Sequence, residues 1–325
     1  MASEKQGYTI FERSADETQT RAERWRRLFD VWIRTPTEIM WKRRRTRIGL
    51  LIVSFYILMG TVGVVLISPP EILDGPTHLG PFQRWDFFLG TTNTGKGVFA
   101  TIVHATPPML KMILAGAIFS TGLATTVGTL SGYKRGTRLD QVLMTISDIG
   151  LTIPGLPLVM VLAIVIEPTN PYLIGVIVTI NAWAGLARSI RSQVLAIREN
   201  SYIEAAQAMG ISTRRIITFD VLPNIMPYVL IHFMKNSRNV IFSTVALYYL
   251  GILPFTTLNW GVMINRARKS GALQTLDLSY WLIIPMVTVS LLTLGLILLA
   301  QGMDHVFNPR ARARNSKTIS DEQAK

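Results

Sequence analysis

Apolar residues in this chain gather into long runs with few charges inside them, and the spacing of those charges sets the first expectation. A helix needs about 20 apolar residues to cross about 30 Å of hydrocarbon. Six runs approach that length. Residues 48–68 carry no charge, and residues 109–130 carry only Lys111 near their start. Residues 142–166 hold one charge, Asp148, while residues 172–187 are uncharged and short, their helical pattern continuing into Arg188 and Arg191. Pro168 and Pro171 mark the turn between these two runs. Residues 224–250 are interrupted by Lys235 and Arg238, and residues 278–303 are free of charge up to Asp304. The pattern predicts an all-α membrane protein of six transmembrane helices with both termini on one side.

Before the first run, Trp25, Leu28, Phe29 and Trp32 share one face at helical spacing, with Arg24, Arg26 and Arg27 elsewhere around the axis. This suits an amphipathic helix, either lying in the membrane interface or solvated beside it. The ends, residues 1–20 and 311–325, are too polar to bury a core of their own. The chain therefore reads as an N-terminal segment 1–47, a six-span domain 48–310 and a polar tail 311–325. A polar start, with no basic region leading into an apolar one, argues against a cleaved signal peptide.

Composition agrees with a bilayer: 49% of the 325 residues are hydrophobic and 16% charged, where a soluble domain carries about a quarter charged. The net charge of +13 would suit nucleic acid if it were clustered on one soluble face, but it is dispersed between the apolar runs. Positive loops resist translocation. With the N-terminus inside, 25 of the 33 Lys and Arg fall in interior segments, and the exterior ones hold only Arg84, Lys96, Arg266, Arg268 and Lys269. Both termini are expected in the cytoplasm.

Candidate chemistry is sparse. There is no cysteine, and His78, His104, His232 and His305 are scattered, so neither a metal-ligand spacing nor a nucleophile triad stands out. No cofactor, metal or catalytic site is expected. Gly90 to Lys96 fits the phosphate-loop pattern GxxxxGK, yet Gly97 replaces the hydroxyl that would hold Mg²⁺, and no strand pattern precedes it.

The stretch 199–224, ENSYIEAAQAMGISTRRIITFDVLPN, is soluble in character. Ser201 followed by Glu204 forms a capping box, which would start a helix at Tyr202. Ala205, Ala206 and Ala208 keep its surface small, and Gly210 stands where a left-handed residue would end it. A helix of two turns cannot hold itself together in water, so it must dock on something.

Glu204-Ala205-Ala206, then Gly210 and Val221-Leu222-Pro223, resemble the EAA signature of permease subunits in binding-protein-dependent ABC importers. Leu89-Gly90-Thr91 with Gly95-Lys96-Gly97-Val98, Asp148-Ile149 followed by Pro154, and Asp304 with Asn308-Pro309-Arg310 resemble the dipeptide, oligopeptide and nickel branch. The resemblance implies a type I importer fold in which the helix at about 201–210 is a coupling helix, with Ser201, Glu204, Ala205, Ala206, Gly210, Leu222 and Pro223 serving attachment to an ATPase. It further implies a second, homologous permease subunit forming a heterodimer, two cytoplasmic ATPases that hydrolyse ATP in place of this chain, and an external solute-binding protein. Peptides, nickel and oligosaccharides all remain open as cargo.

Charges inside spans are costly and usually face a bundle interior or an aqueous path. Asp148, Lys235 and Arg238 are therefore candidates either for the translocation path or for an intramembrane ion pair. The rival reading is a secondary transporter or channel, which more often has broken helices in matching halves and needs no cytoplasmic docking helix.

Overall fold

The computed structural model describes residues 43–307, with side chains as far as Met303. The expected amphipathic helix at Trp25 to Trp32, the tail 311–325 and Asn308-Pro309-Arg310 lie outside the described residues. In chain order the helices are α1 (Arg44–Leu66), α2 (Val98–Tyr133), α3 (Arg138–Thr152), α4 (Gly155–Ile166), α5 (Pro171–Val178), α6 (Trp183–Arg198), α7 (Ser201–Ala208), α8 (Thr213–Leu250), α9 (Trp260–Lys269) and α10 (Ser279–Phe307).

Of these, α1, α2, α8 and α10 are long and apolar enough to cross a bilayer alone. The other two expected spans are not continuous helices. Residues 142–166 break at Ile153-Pro154, and α3 meets α4 at 85°. The cause is local, because a proline ring disfavours helical backbone in the residue before it, and Ile153 is extended at φ −77° and ψ 122°. Residues 172–187 break beyond Thr179, where α5 meets α6 at 64°. There the Thr179 hydroxyl turns to the carbonyls of Gly175 and Gly116, at 3.0 and 3.2 Å. The breaks meet: the Asn181 amide donates to the Ile153 carbonyl at 3.2 Å, satisfying backbone freed inside the membrane.

Each bent pair nevertheless crosses once. Gly116 of α2 abuts Gly175 of α5, Gly128 abuts Ala187, and Gly132 abuts Arg191 and Val194 of α6. The pair thus follows α2 in the same direction for about 24 Å. These crossings need glycine, since a Cβ on Gly175 would stand 2.2 Å from the Met112 carbonyl oxygen. Because Asp140 at the start of α3 is bonded to Ser131 near the end of α2, α3 and α4 must carry the chain back across before α5 begins. Six spans result, two of them kinked.

The core divides by depth. One cluster packs Trp260 and Met263 of the short helix α9 with Tyr56, Met109, Met112, Tyr248 and Trp281. The other packs Ile190, Val194, Ile203, Ile216 and Ile225 at the opposite end. The GxxxxGK segment is a turn closed by an isolated bridge between Thr91 and Gly97 and tied to α10 by the Tyr280 hydroxyl, which donates to the Thr91 carbonyl at 2.7 Å. Turns and one 3-10 turn precede it where a phosphate loop would have a strand.

Candidate translocation face and coupling helix

The short helix α7 forms as expected, but it begins differently. Asn200 is its N-cap with no side-chain hydrogen bond, and Ser201 is already in the first turn. The expected capping box of Ser201 and Glu204 is therefore not made, because the helix starts one residue earlier and places the hydroxyl past the cap. The predicted end holds. Gly210 adopts φ +76°, and the Ile211 amide reaches back to the Ala206 carbonyl at 3.1 Å, the bond pattern of a glycine-terminated helix.

One face of α7 seats on the chain itself. Ile203 and Ala206 are buried in the cluster with Ile216, Ile190 and Val221. Gln207 donates to the Tyr133 hydroxyl at 3.2 Å, and Asn224 donates to the Tyr202 hydroxyl at 3.4 Å. The small residue expected to meet a partner, Ala206, thus points inward, and the outward surface consists of Ser201, Tyr202, Glu204, Ala205, Ala208 and Met209. Leu222 packs against the same cluster. Pro223 follows a widened π turn, Ile217–Val221, where its missing N–H loosens the helical ladder.

Beside α7, Asp140 is buried and fully engaged. Arg191 donates to it through Nε and Nη2, both at 2.9 Å, Gly136 N–H donates at 3.0 Å, and the Ser131 hydroxyl makes a short bond. This carboxylate ties the end of α2, the start of α3 and the middle of α6 into one body. Sequence reading missed it because Asp140 and Arg191 lie in separate segments, each resembling an ordinary cytoplasmic charge.

Of the two readings open for Asp148, Lys235 and Arg238, the ion pair among them is not made. Asp148 pairs with Arg188 of α6, both side chains about half exposed, since the packing of α3 on α6 brings those two residues together. Among the described residues no carboxylate lies within ion-pair distance of Lys235 or Arg238, and Arg238 donates only to the Asn239 side-chain oxygen at 3.2 Å. Lys235 belongs to a longer feature, with Arg238 beside it. Asn224, Tyr228, His232, Lys235, Asn239 and Ser243 are all exposed or half-buried, and their spacing of three or four residues places them on one face of α8. That face is flanked by two clefts. One, of about 320 Å³, lies against α10 and is lined by Lys235, Arg238 and Gln301. The other, of about 380 Å³, reaches the helix breaks and is lined by Asn181, Asn236, Asn239 and Ser243. Periodicity alone would have found the stripe, but charge counting picked out only Lys235 within it and Arg238 beside it.

The chain thus presents a polar stripe along a membrane-spanning helix and a two-turn helix near one end of it. Comparison with known proteins decides what kind of protein it is. Residues 124–313 match the family described as the binding-protein-dependent transport system inner membrane component. The chain belongs to this family. It is the permease subunit of an ABC importer, a membership that implies a solute-binding protein and ATPase subunits as partners. Its relatives include the dipeptide transport system permease protein DppC of Bacillus subtilis (strain 168), 28% identical over 288 residues, or 87% of this chain and 86% of the relative. The oligopeptide transport system permease protein OppC of the same organism is 26% identical over 267 residues, 82% and 85% of the two chains. A DppC of Alkalihalophilus pseudofirmus is 24% identical over 274 residues, 84% and 88% of each.

Proposed function

We propose that this permease forms half of a translocation path for peptides, lined on this subunit by the polar face of α8 and driven through α7. The observation that carries the reading is the hydrogen bond between Tyr202 of α7 and Asn224, the first residue of the stripe. A push on α7 reaches the path-lining helix directly. The relatives named for dipeptide and oligopeptide transport support peptides over nickel or oligosaccharides. The half-path needs a second, homologous permease to close it, and the apolar outward faces of α1 and α4 offer room for that subunit and for lipid. ATP hydrolysis is assigned to two separate subunits gripping the outward side of α7, so this chain does no catalysis itself. The kinked spans, a feature expected of the rival secondary transporter, are here compatible with an ATP-driven importer, the reading that family membership supports.

Peptide uptake tests the cargo. Cells that depend on this system should lose uptake of a labelled dipeptide when the chain is deleted and regain it on re-expression. Unchanged uptake after deletion would remove the peptide reading.

Orientation is tested separately, with residues 1–47 and the tail 311–325 placed in the cytoplasm by the distribution of Lys and Arg. In this cysteine-free chain, Trp85→Cys and Ser270→Cys should label with an impermeant thiol reagent in intact cells. Arg135→Cys and Ala208→Cys should label only after the membrane is opened. Labelling of Ala208→Cys in sealed cells would invert the orientation.

A further inference from the structure

We propose that Lys235 and Arg238 read the charge of the cargo, so that this importer favours peptides bearing an acidic side chain. The inference rests on the reading of the α8 face as the path. Three observations carry it.

The first is position. The stripe from Asn224 to Ser243 is about 28 Å long, close to the full hydrocarbon thickness, and Lys235 sits about 17 Å from its start. A polar face continuous across the membrane suits a solute that moves along it, whereas a fixed helix contact needs only a local polar patch.

The second is the absence of compensation. Asp140 and Asp148, the carboxylates of α3, are held by Arg191 and Arg188, and among the described side chains no carboxylate lies within ion-pair distance of Lys235 or Arg238. Lys235 is exposed and Arg238 half-buried, the latter donating to the Asn239 side-chain oxygen. Uncompensated cations in a low-dielectric wall focus a positive potential into the space they face and raise the local concentration of anions there.

The third is room. The cleft of about 320 Å³ that holds both cations also holds the amide of Gln301. A carboxylate entering it could take a forked pair of bonds from the Arg238 guanidinium and a point charge from Lys235. A lysine-bearing peptide would meet like charge.

The test uses the whole importer, with its partner permease, ATPases and binding protein, and three labelled dipeptides of similar size: Ala-Glu, Ala-Gln and Ala-Lys. In the double variant Lys235→Gln with Arg238→Gln, the Ala-Glu to Ala-Gln uptake ratio should fall about tenfold, and the Ala-Lys to Ala-Gln ratio should rise. Lys235→Arg should keep the native ratios. Ratios unchanged in the double variant, even with lower rates throughout, would overturn the proposal. Loss of co-purification with the partner permease would also overturn it, by showing that the cations pair across the subunit interface. No uptake of any dipeptide by the native complex would instead sink the peptide reading, and this inference with it, a result distinct from unchanged ratios.

Discussion

Replacing Asp140 by alanine should destabilise the end of the permease that carries α7 by about 3–5 kcal/mol, the cost of leaving a buried cation without its partner. Asp140 is almost fully enclosed, and the Arg191 side chain is only 26% exposed, so solvent cannot take the place of the lost carboxylate. Four donors converge on Asp140, from Ser131, Gly136 and twice from Arg191. Its removal therefore frees the α2–α3 turn and α6 together, and α7 sits immediately beyond them. Thermal unfolding of the detergent-purified chain should fall by on the order of 10 °C. The pair Asp140→Ala with Arg191→Leu should recover part of the loss, because an apolar replacement leaves no charge buried alone. A melting temperature within about one degree of native for Asp140→Ala would show that the cluster holds nothing together.

The spans were legible because hydrocarbon demands uncharged length, and length can be counted. All six runs correspond to crossings, although α2 and α8 extend well past the apolar windows that announced them. The kinks were not legible as kinks. Ile153-Pro154 was in view, but a proline in a membrane helix often only bends it, and the second break has no proline at all. It depends on Thr179 finding carbonyls on two helices, a tertiary fact. The stop at Gly210 was readable because left-handed backbone selects glycine almost alone. The start at Asn200 was misread by one residue, since asparagine, serine and threonine are interchangeable as caps and only the coordinates say which one stands there. Ala206 was misassigned for a deeper reason. A small residue serves close approach equally well on either side of a helix, and the sequence does not say which neighbour approaches.

That ambiguity makes α7 the place for the most telling comparison. Ala205 and Ala206 are adjacent in sequence and opposite in environment, one exposed and one buried against Ile203 and Ile216. If the exposed side of α7 seats in an ATPase groove, Ala205→Trp should abolish ATPase recovery in a pull-down from detergent extracts and reduce transport at least tenfold. The melting temperature of the isolated membrane subunit should stay near native, because Ala205 is exposed among the described residues. Ala206→Trp should do the reverse in order of cause: overpacking the cluster costs roughly 1–3 kcal/mol, so the subunit melts earlier and α7 lifts from Tyr133 and Asn224. Gly210→Val lies between. A Cβ there meets no atom within 4 Å, so the penalty is the roughly 1–2 kcal/mol of a left-handed β-branched residue, enough to fray a helix of eight residues without disturbing the spans. Gly210→Asn, which tolerates the same backbone, should retain coupling. Normal ATPase recovery with normal transport in Ala205→Trp would remove α7 as the docking element, and the outward face of the helix would need another role.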